Sequence, residues 1–150
     1  WFGSREGKIL IYNSKDIEES QKSDPIKSWN VHKRSIINLE LVEDINVENS
    51  YRIWSFTSDG NIFVFNGNEP YEQLWTLSTK SHLTGICTIN HNNHFSIWAA
   101  VVSSPDTPVV IQIWDGLTYN QSSITLPQIT DKAEYVTDIK QYEEIVLIGL

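Results

Sequence analysis

The chain contains one pattern twice, and its second copy reads Trp54-Ser55-Phe56-Thr57-Ser58-Asp59-Gly60-Asn61-Ile62-Phe63-Val64-Phe65-Asn66. The first copy reads Trp1-Phe2-Gly3-Ser4-Arg5-Glu6-Gly7-Lys8-Ile9-Leu10-Ile11-Tyr12-Asn13. Aligned without gaps, the two copies match at tryptophan, glycine, isoleucine and asparagine. A third, looser copy runs from Ile97-Trp98 to Trp114-Asp115-Gly116. Repetition at this spacing, in residues typical of strands and turns, predicts a stacked array of β-sheet units.

Each copy divides into a strand, a tight turn and a second strand. The turns are Glu6-Gly7-Lys8 and Asp59-Gly60-Asn61, which lie between apolar runs. Glycine suits such turns because it adopts positive φ without steric cost. Residues 62–65 are apolar at every position, so both faces of that strand are predicted to be covered by other sheets.

The rest of the chain continues in the same order. Strand-like runs occur at residues 26–31, 35–42, 72–77, 83–89, 123–126, 135–140 and 144–150. Four strands recur in each unit, and the predicted units are residues 1–31, 32–77, 82–126 and 133–150. No sustained helical period is present, so helix is expected only as a turn in the polar stretch from Asp16 to Asp24.

Composition favours a globular protein that binds other proteins. The 150 residues are 40% hydrophobic, and the net charge of −8 opposes binding to nucleic acid and to anionic membrane surfaces. No apolar stretch reaches the roughly 18 residues that a membrane span needs, so membrane insertion is not expected. The single cysteine, Cys87, lies in an apolar run and is predicted to be a buried free thiol. A free thiol fits a reducing compartment, and a cytoplasmic location is expected.

These residues resemble the WD-repeat β-propeller family. The dipeptide that closes the third strand in that family is present as Trp114-Asp115, while Tyr12-Asn13 and Phe65-Asn66 stand at the same place. The family's histidine before the inner strand corresponds to His32 and His82. The resemblance implies an all-β fold of four-stranded antiparallel β-propeller blades, with about three blades plus partial ones.

The number of blades bears on the extent of the protein. At about 45 residues per blade, the chain holds a little over three, whereas closure takes roughly 4 to 8. The sequence is therefore expected to be a segment of a larger propeller. Alternatives are a half-propeller that pairs with a second copy, or a propeller whose remaining blades lie on further chain. Open blade edges are expected to promote self-association of such a segment.

In the family, a hydrogen-bonded network joins the histidine to a second-strand hydroxyl, an acid in the following turn and the tryptophan. The resemblance implies that the hydroxyl and the acid fall to Ser4 or Thr57 and to Glu6 or Asp59. Only the unit with His32, Thr57 and Asp59 is expected to assemble most of this network. Its network is expected to be incomplete, because Phe65 replaces the tryptophan and cannot donate an N–H.

Tryptophan is expected to hold neighbouring units together. Trp1, Trp54 and Trp98 occupy one equivalent position of the repeat. A fully buried aromatic side chain covers about 150–250 Å², which is worth roughly 4–6 kcal/mol. Each of the three is therefore predicted to stabilise a contact between units.

The candidate binding residues lie where the resemblance places the partner-binding rim of a propeller. They are Arg5, Lys33, Arg34, Asp59, Lys80 and Ser81. Trp29, His32, Lys33 and Arg34 also form a basic and aromatic cluster. Its functional interpretation is a site for a phosphate or an acidic peptide, and its structural one is a solvated turn with a packed tryptophan.

No catalytic residue, metal site or cofactor is predicted. His91 and His94 are three residues apart, but zinc normally takes three or four protein ligands, and no further ligand is near in sequence. Nucleotide-binding loops, nucleophile elbows and metalloprotease motifs are absent from the sequence. The expected function is a non-catalytic scaffold for protein–protein interaction in signalling. The alternative is an accessory propeller of a multidomain kinase, exchange factor, GTPase regulator or phosphoinositide phosphatase.

Overall fold

The computed structural model describes residues 1–15, 24–102, 107–127 and 136–149. Their strands form four antiparallel sheets in which each strand pairs with its neighbours in sequence. The strands are β1 (Phe2–Gly3), β2 (Lys8–Ile11), β3 (Lys27–Asn30), β4 (Ile36–Glu43), β5 (Tyr51–Thr57), β6 (Asn61–Asn66), β7 (Gln73–Ser78), β8 (His82–His91), β9 (His94–Val102), β10 (Val110–Asp115), β11 (Gln121–Thr125), β12 (Asp138–Tyr142) and β13 (Ile145–Gly149). The all-β fold class is confirmed.

The sheets have the meandering order of propeller blades, and we call them units 1 to 4. Unit 1 is β1–β3, unit 2 is β4–β7, unit 3 is β8–β11, and unit 4 is β12–β13. Thirteen described strands, at four per blade, correspond to a little over three blades, as predicted. Residues 133–135 and most of the stretch from Asp16 to Asp24 lie outside the described residues, and Ser14 and Lys15 just before that stretch are helical.

The repeated pattern forms a hairpin, which joins β1 to β2 in unit 1 and β5 to β6 in unit 2. In unit 1, Phe2 pairs with Leu10, and in unit 2, Phe56 pairs with Ile62. The third copy forms the equivalent pair of strands in unit 3, where Trp98 pairs with Ile113. The strand, turn and strand predicted for the first two copies are therefore confirmed, as are the two strands of the third, whose connection lies partly outside the described residues, at 103–106.

Both faces of β6 are covered, as its sequence predicts. Ile62 and Val64 are fully buried on the face towards unit 3. On the other face, Phe63 packs edge-on against His32, and Phe65 stacks on the ring of Trp29 from unit 1. A strand covered on both faces requires sheets on both sides, which is the stacking that defines a propeller.

The hydrophobic core lies between the sheets. One cluster fills the seam between units 2 and 3, and its buried members are Val42, Trp54, Phe56, Ile62, Val64, Leu83, Ile97, Ala99, Val101 and Trp114. A second cluster fills the seam between units 3 and 4, and its buried members are Ala100, Val109, Ile111, Val136 and Ile139. Each unit therefore depends on its neighbours to bury its apolar faces.

Three tryptophans occupy corresponding positions at the three seams. The Trp1 ring lies 6.1 Å from that of Phe65 in unit 2. The Trp54 side chain is fully buried, and its indole N–H donates to the carbonyl of Gly116 in unit 3 over 3.2 Å. Trp98 packs, half-buried, against the cluster between units 3 and 4. Trp1 and Trp54 thus contact the unit that follows their own, and Trp98 packs against the cluster at the next seam.

The glycine of the pattern is required by both conformation and space. Gly7 and Gly60 have φ angles of 78° and 83°, which L side chains rarely adopt. A Cβ at Gly7 would overlap the carbonyl oxygen of His32, and one at Gly60 would overlap Thr79 and Ser81. The turns of units 1 and 2 therefore pack directly on the loop that leads into the next unit.

Replacing Gly60 with alanine is expected to lower the free energy of unfolding by about 1–3 kcal/mol, because left-handed backbone strain is of this size. Overlap with the loop at Thr79 and Ser81 adds to that cost. Urea denaturation measures the change, and Ser58→Ala in the same turn is the matched control, expected within about 0.5 kcal/mol of wild type. Equal stability of the glycine variant and this control would contradict the close packing of the turn.

The prediction that Cys87 is a buried free thiol is correct for the free thiol and wrong for its burial. The thiol is free, but it is half-buried rather than buried. The reason is that β8 is the inner, edge strand of unit 3, and its pairing shifts at a bulge between Thr84 and Cys87. Partial burial still raises the pKa of the Cys87 thiol.

Candidate functional site

The predicted binding residues lie along one rim of the stacked units. We define the rim as the turns at residues 4–8 and 57–61 with the connecting loops at 31–35 and 79–82. Each turn is closed by its own hydroxyl: Ser4 Oγ accepts from the N–H of Lys8 over 3.0 Å, and Thr57 Oγ1 accepts from that of Asn61 over 3.1 Å. The same local chemistry therefore shapes both turns.

Backbone hydrogen bonds attach each connecting loop to the turn before it. The carbonyl of Gly7 accepts from the N–H groups of Val31 and His32, over 3.2 and 3.0 Å. The carbonyl of Gly60 accepts from the N–H of Thr79 over 2.9 Å. The loops at 31–35 and 79–82 are therefore held in place, and so are the side chains that they carry.

The rim carries four basic side chains. Arg5, Lys33, Arg34 and Lys80 are all exposed. Within the described part of the chain, none of the four forms an ion pair, whereas Lys8 pairs with Glu6 over 3.0 Å. On a chain with a net charge of −8, these unpaired cations form a locally basic surface.

The other two predicted residues belong to the internal structure of the rim. The Thr57 hydroxyl donates to Asp59 Oδ1 over 2.5 Å, and the Asn61 amide donates to the same oxygen over 3.0 Å. These hydrogen bonds, with that of Thr57 the largest, lower the pKa of Asp59, and the charge of Arg34 acts in the same direction. Ser81 is half-buried, and its carbonyl accepts from the Thr79 hydroxyl over 3.2 Å.

The expected histidine network is divided into two parts. His32 Nε2 lies 2.8 Å from Ser55 Oγ, not from Thr57, whose hydroxyl binds Asp59 instead. The resemblance implied Thr57 as the partner of His32, and this is wrong: the partner is Ser55, two residues earlier in β5. Burial lowers the pKa of His32 from 6.5 to about 4, although the charge of Asp59 opposes part of that shift.

His82 does not occupy the place of His32. It is the first residue of β8, it is exposed, and its Nδ1 lies 3.0 Å from the carbonyl oxygen of Ser58. The backbone N–H of Thr79 donates to the carbonyl of Gly60, just as the N–H of His32 donates to the carbonyl of Gly7 in the unit before. By this hydrogen bond, the residue that corresponds to His32 is Thr79, three residues before His82.

In units 1 to 3, the residue at the Trp-Asp position forms a side-chain hydrogen bond at the end of β2, β6 or β10. Asp115 Oδ1 accepts from the N–H of Leu117 over 3.0 Å. Asn13 and Asn66 do the same for the residue two positions further on, both over 3.1 Å. Trp114 is fully buried, and its indole N–H has no partner among the described residues. The acidic or amide residue therefore acts as a turn-former, and Trp114 acts through packing.

The histidines at 91 and 94 flank the two-residue turn of the β8–β9 hairpin. His91 Nδ1 lies 2.7 Å from Glu144, and His94 Nε2 lies 3.2 Å from Asp115. The two imidazoles therefore bind different carboxylates. Within residues 1–15, 24–102, 107–127 and 136–149, no cluster of three or more metal-ligating side chains is found.

Trp29 is packed, as the structural interpretation of its cluster expects, but its aromatic partners were not predicted from the sequence. Trp29 lies in an aromatic group with Trp1, Phe65 and Tyr71 at the seam between units 1 and 2. The signal available was the recurrence of tryptophan in the outer strand, at Trp29 and again at Trp75.

No protein-family model matches the chain, and no curated protein sequence is significantly similar to it. None of the helices in the described residues is long and apolar enough to cross a membrane.

Proposed function

We propose that this chain is a non-catalytic protein-binding module of the WD-repeat β-propeller class, and that its rim binds an acidic segment of a partner protein. The observation that carries the proposal is the set of four exposed cations, Arg5, Lys33, Arg34 and Lys80, which lack ion pairs among the described residues. The free thiol of Cys87 favours a reducing compartment for this interaction.

The rim is suited to electrostatic recognition because its backbone is held before a partner arrives. Both connecting loops are hydrogen-bonded to turn glycines, so little ordering of the main chain accompanies binding. The long basic side chains remain hydrated until a carboxylate displaces water. Attraction of this kind raises the association rate and weakens with salt, because the Debye length is only about 8 Å at 0.15 M ionic strength.

Reversing two rim charges should weaken binding while leaving the fold intact. Lys33→Glu with Arg34→Glu is expected to reduce the affinity for a panel of peptides rich in aspartate and glutamate by about tenfold at low salt. Fluorescence anisotropy at two salt concentrations measures the loss. Both side chains are exposed, so circular dichroism and the denaturation midpoint should match those of wild type.

A control with the same change in net charge separates the rim from the chain as a whole. Lys15→Glu with Lys140→Glu alters two exposed lysines outside the rim. This variant is expected to retain most of the wild-type affinity. An equal loss in both double variants, or unchanged binding by the rim variant, would show that the rim is not the binding surface.

A further inference from the structure

Two seams contain corresponding groups of four aromatic side chains. The first aromatic group, between units 1 and 2, is Trp1, Trp29, Phe65 and Tyr71. The second aromatic group, between units 2 and 3, is Trp54, Trp75, Trp114 and Tyr119. Each group takes the first tryptophan of one copy of the repeated pattern, one tryptophan from an outer strand, and two rings from the next unit. The second group is therefore an internal reference for the first.

The second aromatic group is closed. Trp75 and Tyr119 are stacked, with ring centroids 5.0 Å apart and an interplanar angle of 16°. Trp54 is fully buried, and its indole N–H donates to Gly116. The rings fill the space between the two units by direct contact with one another.

The first aromatic group is open. The corresponding rings, Trp29 and Tyr71, are 6.5 Å apart at 78° and do not stack. The ammonium of Lys27 lies 4.6 Å from the centre of the Trp29 ring and 5.7 Å from that of Tyr71. It also donates to the carbonyl of Pro70 over 2.6 Å. A cation of the chain itself thus occupies the position that ring stacking fills in the second group.

Space remains beside Lys27. A cavity of about 300 Å³ is lined by Trp29, Phe65 and Tyr71, and Glu72 is also among its lining residues. At the corresponding position of the second group, two residues before the outer-strand tryptophan, the chain has Gln73 in place of Lys27. The cation and the cavity therefore occur together at this seam.

We infer that the first aromatic group binds an organic ammonium group, such as that of a methylated lysine or of choline, in competition with Lys27. Ring faces attract cations, and recognition of methylated ammonium groups by several aromatic rings is the best-developed use of this interaction. A trimethylated ammonium has no N–H groups, so it cannot form the hydrogen bond that Lys27 donates to the Pro70 carbonyl, and it gains mainly from contact with the aromatic rings. Glu72 supplies the complementary negative charge. This inference does not depend on the proposed function of the rim.

The test follows tryptophan indole signals by NMR during titration with three probes. They are a peptide bearing trimethyllysine, the same peptide with unmodified lysine, and choline. The trimethylated peptide is expected to shift the Trp29 indole signal and to bind more tightly than the unmodified one. Equal binding of choline and the trimethylated peptide would also support the inference, and it would identify the ligand as a small molecule that bears an organic ammonium group. Equal binding of both peptides, or no binding of any probe, would overturn it.

Two variants test the roles of the named side chains. Lys27→Gln copies Gln73 and removes the internal competitor, so affinity for the trimethylated peptide should rise by roughly fivefold. Tyr71→Asn removes a ring at a backbone position with a φ of 58°, which asparagine accepts, and affinity should fall by roughly fivefold. If Lys27→Gln does not tighten binding and Tyr71→Asn does not weaken it, Lys27 is only a structural contact.

Discussion

Replacing Trp54 with alanine is expected to lower the free energy of unfolding by about 3–5 kcal/mol, the range found when large buried side chains are truncated. The Trp54 side chain is fully buried and contacts four other aromatic rings. Its removal leaves a cavity between units 2 and 3 and deprives the Gly116 carbonyl of its donor. The loss therefore affects the contact between two units as well as one strand.

Urea denaturation of the variant measures this effect, and two further variants divide it. Trp54→Phe keeps an aromatic ring but loses the indole donor to Gly116, and it should cost about 1–3 kcal/mol. Trp98→Ala removes the corresponding tryptophan from a half-buried site, so it should cost less than Trp54→Ala. If Trp98→Ala proves as destabilising as Trp54→Ala, burial does not determine the contribution of this position.

Acidification is expected to destabilise the protein through His32. Burial lowers the pKa of His32 to about 4 in the folded chain, against 6.5 for the unfolded one. Between these values the unfolded chain binds the extra proton, so stability falls as pH decreases through this window. Above pH 6.5, His32 is neutral in both states and its protonation does not affect stability. By pH 4, protonation of His32 in the unfolded chain lowers the free energy of unfolding by about 3 kcal/mol.

The measurement is the free energy of unfolding of wild type and of His32→Gln from pH 7 to pH 4. Glutamine does not titrate, so the stability difference between the two proteins should shrink as the pH is lowered. Carboxylates and the other histidines titrate in both proteins and therefore cancel in the difference. A difference that stays constant across this window would mean that His32 is not held neutral by its burial against Phe63 and Ser55.

Much of the fold follows from the local pattern because its determinants are local. The unbroken apolar run at 62–65 predicts a strand with two covered faces, and both faces pack between units. Glycine at position 60 predicts a tight turn, and its φ of 83° is a conformation that favours glycine. These features depend on residues close in sequence, so hairpins and unit order could be derived without coordinates.

The candidate site was predicted less completely. The rim positions of Lys33 and Arg34 could be predicted, because both residues lie in the loop between two strands that the sequence itself predicts. The partner of His32 does not follow in this way. Ser55 and Thr57 are two residues apart and share one face of β5, so only the path of the loop at 31–35 decides which hydroxyl meets the imidazole.

The sequence by itself determined the repeat, its hairpins, the positions of the tryptophans and the loops that carry the basic residues. Only the tertiary structure decided how the seams between units are filled. Trp29 and Trp75 are equivalent by sequence, but one lies beside the ammonium of Lys27 and the other stacks on Tyr119. The physical reason is that strands and turns depend on neighbours in the chain, whereas a seam depends on side chains from two sheets that meet only after folding.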